Sequence, residues 1–116
     1  MDAECVNICD AINKIPGLRT LESCCGHGDY PFRIWFLIDD PRTLPMLLYF
    51  CDPCHVGFRW DCKVTTDCAM SPVHYRIESL EIGEEAYLQA EVIATEVQEF
   101  LEGESFKQFS KDYLGG

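Results

Sequence analysis

The stretch Leu18-Arg19-Thr20-Leu21-Glu22-Ser23-Cys24-Cys25-Gly26-His27-Gly28-Asp29-Tyr30-Pro31-Phe32-Arg33-Ile34-Trp35-Phe36-Leu37-Ile38 decides the fold. In its second half Phe32, Ile34, Phe36 and Ile38 alternate with Arg33 and Trp35, which is the period of a half-buried strand from Pro31 to Ile38. Leu18 to Cys24 reads as a shorter strand. Between them Cys25-Gly26-His27-Gly28-Asp29 carries two glycines, which permit a tight or positive-φ turn. The simplest reading is an antiparallel hairpin.

Helical periodicity lies on both sides of it. Over residues 3–15, Cys5, Ile8, Cys9 and Ile12 share one stripe, and Pro16-Gly17 ends the helix. After the Asp39-Asp40-Pro41 break, Thr43 is placed to cap a helix from Leu44 to about Cys51, with Pro45 in its first turn and Pro53 beyond its end. Phe58 to Thr66 alternates again, with Phe58, Trp60, Cys62 and Val64 on one face. Val73 to Leu80 follows, with Val73, Tyr75 and Ile77 inward, and the loop from Asp67 to Pro72 joins the two. A long helix from Glu84 to Leu101 buries Ala86, Ala90, Ile93, Val97 and Phe100 on one stripe. Gly103 suits the left-handed position after it. The predicted fold class is α+β, with element order α-β-β-α-β-β-α and a four-stranded, mostly antiparallel sheet packed with helices. Residues 1–103 form the single domain and 104–116 a C-terminal tail that Phe106, Phe109 and Tyr113 can dock.

Composition bounds the function. A chain of 116 residues with 47% hydrophobic and 25% charged residues is one globular domain. Its longest nearly apolar run, Leu44 to Cys51, is far short of a bilayer span, so no membrane partner is expected. The net charge of −11 works against wholesale binding to phosphate backbones. That charge is concentrated late: residues 78–116 hold ten acids against Lys107 and Lys111. Eight cysteines beside an acidic, non-apolar N-terminus point to reduced thiols in the cytoplasm, not to a secreted disulfide scaffold.

Three places carry chemistry. Ser23-Cys24-Cys25-Gly26-His27-Gly28 sets thiols, an imidazole and a hydroxyl on a glycine-rich turn, where a ligand can approach the backbone closely. Cys51-Asp52-Pro53-Cys54-His55 stands at the predicted end of the middle helix, where the dipole raises a thiol pKa and so disfavours thioredoxin-like redox work. Cys68 lies in the loop before Pro72. Thiolate and imidazole are the usual ligands of zinc, and four are needed. Following chain direction up the first strand, down the second and back along the middle helix gathers Cys24, Cys25, His27, Cys54 and His55 at one end, with Cys68 at the other. These five are the candidate metal ligands. Ser23, Cys24, Cys25, Gly26, His27, Gly28 and Arg59 are the candidate ligand-binding set, and no catalytic residue is singled out. The non-core face of the sheet gathers Arg33, Arg59, Lys63 and Arg76 with Trp35 and His74, against Asp61 and Glu78, a composition suited to RNA or another anionic ligand.

The run Leu18 to Gly28 with Pro31-Phe32-Arg33 resembles a group of small uncharacterised bacterial and phage-associated proteins that share a Ser-Cys-Cys-Gly-His-Gly motif. The likeness extends to Cys54-His55, to Asp67-Cys68-Ala69-Met70-Ser71-Pro72 and to Glu84-Glu85-Ala86-Tyr87. More distantly, Ser23-Cys24-Cys25-Gly26-His27, Gly57-Phe58-Arg59 and Glu84-Glu85-Ala86-Tyr87 resemble motifs of the wybutosine-synthesis tRNA methyltransferase family, which has arginine where this chain has His27. That resemblance implies the same order of elements and an RNA-modifying activity using S-adenosylmethionine. Three functions are therefore carried forward. The leading one is a small ligand- or metal-binding domain centred on the Ser23–Gly28 turn, its ligand unidentified and zinc a candidate ion. The others are an S-adenosylmethionine-dependent RNA-modifying enzyme and a phage-related interaction module whose acidic helix meets a basic partner.

Overall fold

A computed structural model of the chain describes residues 1–66 and 68–115. Asp67 in the loop before Pro72 and Gly116 at the end of the tail lie outside the described residues. The elements follow the order read from the sequence, with two short helices added. A 3₁₀ turn at Ala3–Cys5 leads into α1 (Val6–Asn13), followed by the hairpin strands β1 (Leu18–Cys24) and β2 (Pro31–Ile38). Then come α2 (Leu44–Tyr49), α3 (Pro53–Val56), β3 (Trp60–Thr65) and β4 (His74–Ile82). The chain closes with α4 (Gly83–Glu102) and α5 (Glu104–Phe109).

The sheet has the order β1-β2-β4-β3, and every neighbouring pair is antiparallel. The fold is α+β. Helices α1 and α4 cover one sheet face. Ile8 and Ile12 from α1, Phe32, Ile34 and Phe36 from β2, Ile77 from β4, and Ala86, Ala90, Ile93 and Val97 from α4 meet there, all essentially without solvent contact. Phe32 sits at the centre, its ring 5.3 Å from Trp60 and 6.3 Å from Tyr87. A fully buried aromatic of this kind contributes about 1.5–3 kcal/mol by leaving water. Among the described residues no helix is long and apolar enough to cross a membrane.

Several boundaries differ from the sequence reading, each for a local physical reason. Thr43 does not cap α2; its buried hydroxyl donates to the Pro16 carbonyl at 2.6 Å and so ties the start of α2 to the α1–β1 corner. Asp40 does the capping instead, accepting from the Arg42 N–H at the 3₁₀ turn Pro41–Thr43. Pro53 does not end a helix but opens α3 in its first turn, where its missing N–H costs nothing, and the Asp52 carboxylate accepts from the Cys54 N–H at 2.8 Å. Strand β3 begins at Trp60, two residues later than expected. It is an edge strand, so of its inward positions only Trp60 is covered, while Cys62 and Val64 lie exposed. Val73 precedes β4 and is exposed too. Gly103 is extended, not left-handed, because it caps the start of a further helix. Residues expected as a tail thus form α5 and a π-helical turn at Ser110–Leu114. Phe106 stacks toward Phe100 at 6.0 Å, and Arg42 donates to the Tyr113 carbonyl.

Candidate metal site at the β1–β2 turn

The hairpin does not close with an ordinary two-residue turn. After β1, Gly26, His27 and Gly28 all take left-handed φ values of 83°, 51° and 86°. Among the described residues His27 is the one non-glycine with positive φ. A side chain held there costs about 1 kcal/mol or more, a strain that clusters at functional sites. Gly26 is required twice over: besides its φ, an added Cβ would stand 3.0 Å from the Pro31 carbonyl oxygen.

Backbone N–H groups converge on the sulfurs and carboxylate of this turn. The Gly26 N–H donates to Cys24 Sγ and the His27 N–H to Cys25 Sγ, each at 3.4 Å, while the Cys25 N–H donates to the Asp2 carboxylate at 3.1 Å. That last bond, helped by the Cys25 thiol and the charge of His27, holds Asp2 below the usual carboxylate range. Cys25 lies deeper, 3.7 Å from His27 Nδ1 and 3.9 Å from the Tyr87 hydroxyl, and burial pushes its thiol pKa up. Arg33 Nη2 stands 3.7 Å from Cys24 Sγ on the other side.

Ligand atoms of Asp2, Cys24 and His27 all lie within 4.8 Å of one another. Donors bound to a tetrahedral zinc stand about 3.3–3.8 Å apart, so the three need close by little more than an ångström to share an ion. Asp2 and Cys24 are half-buried and His27 exposed, which leaves an approach from solvent.

Of the sequence candidates, Cys24, Cys25 and His27 meet at the turn, with Ser23 and the two glycines framing it. Cys54 and His55 do not join them. The His55 ring stacks on Tyr49 at 3.4 Å, and the pair lines a pocket with Glu96, Glu99 and Phe100 in the last turns of α4. Tyr87, which reaches Cys25, lies nine to thirteen residues earlier on α4, roughly 14–20 Å along the axis. The expected meeting fails because the Trp60 N–H donates to the Cys51 carbonyl at 3.1 Å, which makes Asp52–Arg59 an excursion from the start of β3, the sheet edge opposite β1. Arg59 lies in that excursion, before β3, and is exposed. Asp52 is held below the usual carboxylate range first by the Cys54 N–H, with Arg59 adding to the effect. Cys68 stands at the opposite end of the sheet, its thiol 3.3 Å from the Ser71 hydroxyl.

Asp2 was missing from the sequence candidates, although a signal for it exists. A helix over residues 3–15 is about 20 Å long and a seven-residue strand about 23 Å. An α–β reversal at Pro16-Gly17 therefore returns Cys24 to the level of residue 2.

Fold and site together define an α+β domain with, among the described residues, one Asp/Cys/His cluster, set on a strained hairpin turn. No protein-family model matches the chain, and no curated protein and no solved structure matches it significantly.

Proposed function

We propose that the protein binds a thiophilic divalent metal, zinc above all, through Asp2, Cys24 and His27. The observation that carries this reading is the convergence of the three ligand atoms within 4.8 Å on a turn whose histidine is held in a strained conformation. The donor set of one thiolate, one imidazole and one carboxylate is the mixture that zinc accepts, and three protein ligands leave a fourth position for water or a substrate. Cys25 and Tyr87 support the turn from below, and the Cys25 N–H orients the Asp2 carboxylate. The resemblance of Ser23–His27 to the turn of the wybutosine-synthesis family supports the same segment as the working end of the domain.

The test is metal content and cobalt spectroscopy on the full chain, purified without oxygen or chelator. One equivalent of zinc is expected, together with a thiolate-to-cobalt charge-transfer band and tetrahedral d–d absorption after exchange. Protein that retains no metal and shows neither feature with added cobalt would overturn the proposal.

A further inference from the structure

The outer face of the sheet holds a second set of groups, beside the turn and meeting it at Arg33 and Cys24. Register places Glu22, Trp35, Arg76 and Lys63 in one row across the four strands, and Cys24, Arg33, Glu78 and Asp61 in the row above. The guanidinium carbons of Arg33 and Arg76 lie 5.5 and 5.8 Å from the Trp35 ring centroid, so both cations rest against the indole. Lys63 and Arg76 both reach Glu78. Partial burial of Glu78 works against its ionisation, but the two cations still hold it below the usual carboxylate range. Arg33 has no carboxylate partner among the described residues. The Nε–H groups of both arginines are buried and have no hydrogen-bond partner there. Two orphaned donors on adjacent strands are costly and call for an acceptor.

Beside Trp35 runs an open groove of about 590 Å³, walled by Leu21, Leu37 and Pro72 and edged by Glu22 and His74. Its size is that of a small-molecule site. Glu22 and Arg76 flank Trp35 from opposite sides. The row therefore runs from a carboxylate through an aromatic plane to a guanidinium.

From this arrangement we propose that the outer sheet face binds a mononucleotide. The base lies in the apolar groove against Trp35. Glu22 accepts from the ribose hydroxyls, the role an acidic residue plays in dinucleotide folds. The phosphate takes the Arg33 and Arg76 forks, whose orphaned Nε–H groups turn outward to meet it in paired, charge-assisted bonds. A single nucleotide fits better than a polynucleotide, because a chain of net charge −11 repels an extended phosphate backbone while one phosphate meets only the local cations. The site adjoins the β1–β2 turn through Arg33, whose Nη2 stands 3.7 Å from Cys24 Sγ, but it needs no metal there.

The experiment is an NMR titration of the ¹⁵N-labelled full chain, following the Trp35 indole N–H and the Arg33 and Arg76 Nε–H resonances. The probes are AMP, GMP, CMP and UMP, with adenosine, uridine, inorganic phosphate and an oligouridylate as comparison arms. Saturable shifts at all three side chains are expected with at least one mononucleotide, with nucleoside and phosphate each binding more weakly. Arg33→Gln and Arg76→Gln should each weaken binding about tenfold, the loss expected for one charged hydrogen-bonding partner. Arg33→Gln breaks no carboxylate ion pair among the described residues, so it carries the test even where Arg76→Gln disturbs the sheet. The proposal is overturned by silence at these resonances with all four mononucleotides, or by inorganic phosphate binding as tightly as the best nucleotide. It is equally overturned by oligouridylate binding without any mononucleotide response, or by undiminished affinity in Arg33→Gln.

Discussion

The turn at Ser23–Gly28 and the segment Cys51–His55 are written in almost the same residues, two cysteines and a histidine each, and the fold uses them differently. In both, an aspartate carboxylate accepts a cysteine N–H: Asp2 from Cys25 and Asp52 from Cys54. At the turn, however, the aspartate arrives from a distant part of the chain, because α1 runs antiparallel to β1 and delivers the N-terminus to the hairpin tip. In Cys51–His55 the aspartate is local and merely caps α3, while His55 leaves to stack on Tyr49. Residue type alone therefore does not make a site. What separates the two segments is whether tertiary packing brings a third donor from elsewhere.

The largest expected difference between them is in metal retention. Cys24→Ser, His27→Ala and Asp2→Asn should each drop bound zinc from one equivalent toward none, whereas the double variant Cys54→Ser/His55→Ala should retain a full equivalent. Plasma-emission analysis of the purified variants reads this directly. Equal loss from both segments would mean that the two regions cooperate in a way the structure does not contain.

Thiol reactivity should separate the cysteines next. Cys54 is exposed, whereas Cys51 is buried and burial pushes its pKa up to about 12. Mass spectrometry after timed iodoacetamide labelling near neutral pH should find Cys54 modified at least about a hundredfold faster than Cys51, since the thiolate is the reactive species. Cys25, also buried with a raised pKa, should lag behind Cys54 as well. Added zinc should protect Cys24 and leave the rate at Cys54 unchanged.

Two glycines test the backbone in the same pair of regions. Gly26 and Gly57 have nearly equal φ values, 83° and 82°, but an added Cβ meets nothing at Gly57 and the Pro31 carbonyl oxygen at Gly26. Gly57→Ala should cost about 1 kcal/mol from the left-handed conformation alone. Gly26→Ala should cost about 2–3 kcal/mol, because overlap adds to strain. Urea unfolding midpoints give both numbers, and equal costs would show that the hairpin tip relaxes freely.

The smallest expected effect is in the two aspartates that accept a cysteine N–H. Both titrate below their ordinary value of 3.8, each chiefly because a cysteine N–H bonds the carboxylate. A depressed carboxylate stabilises the fold above its unfolded pKa, and that contribution fades as pH falls through the lower folded value. Carboxyl-carbon NMR should place both midpoints under 3.8, and zinc should lower Asp2 further while leaving Asp52 in place. A zinc-induced shift at Asp52 would erase the distinction.

Much of this was written in local sequence. The alternation of Phe32, Ile34 and Phe36 is a property of neighbouring residues, and so are the stripe of Ala86, Ala90, Ile93 and Val97 and the glycines at the hairpin tip. Each element's period and breakers specify it without reference to the rest of the chain, and β1 and β2 begin and end where the sequence places them. Cys24, Cys25 and His27 were legible for the same reason, being contiguous. Tertiary structure alone decided which further group joins them. Whether Asp2 or the Cys54-His55 pair reaches the turn depends on where the chain after α2 meets the sheet, which the Trp60 N–H bond to the Cys51 carbonyl sets at the β3 edge. It depends equally on the strand order β1-β2-β4-β3, which sets β1 and β3 on opposite edges. Those quantities come from non-local pairing, so no window of residues around His55 or Asp2 contains them. The same holds on the outer face. Trp35 and Arg33 are close in the chain, but only antiparallel pairing of β2 with β4 brings Arg76 to the indole as well.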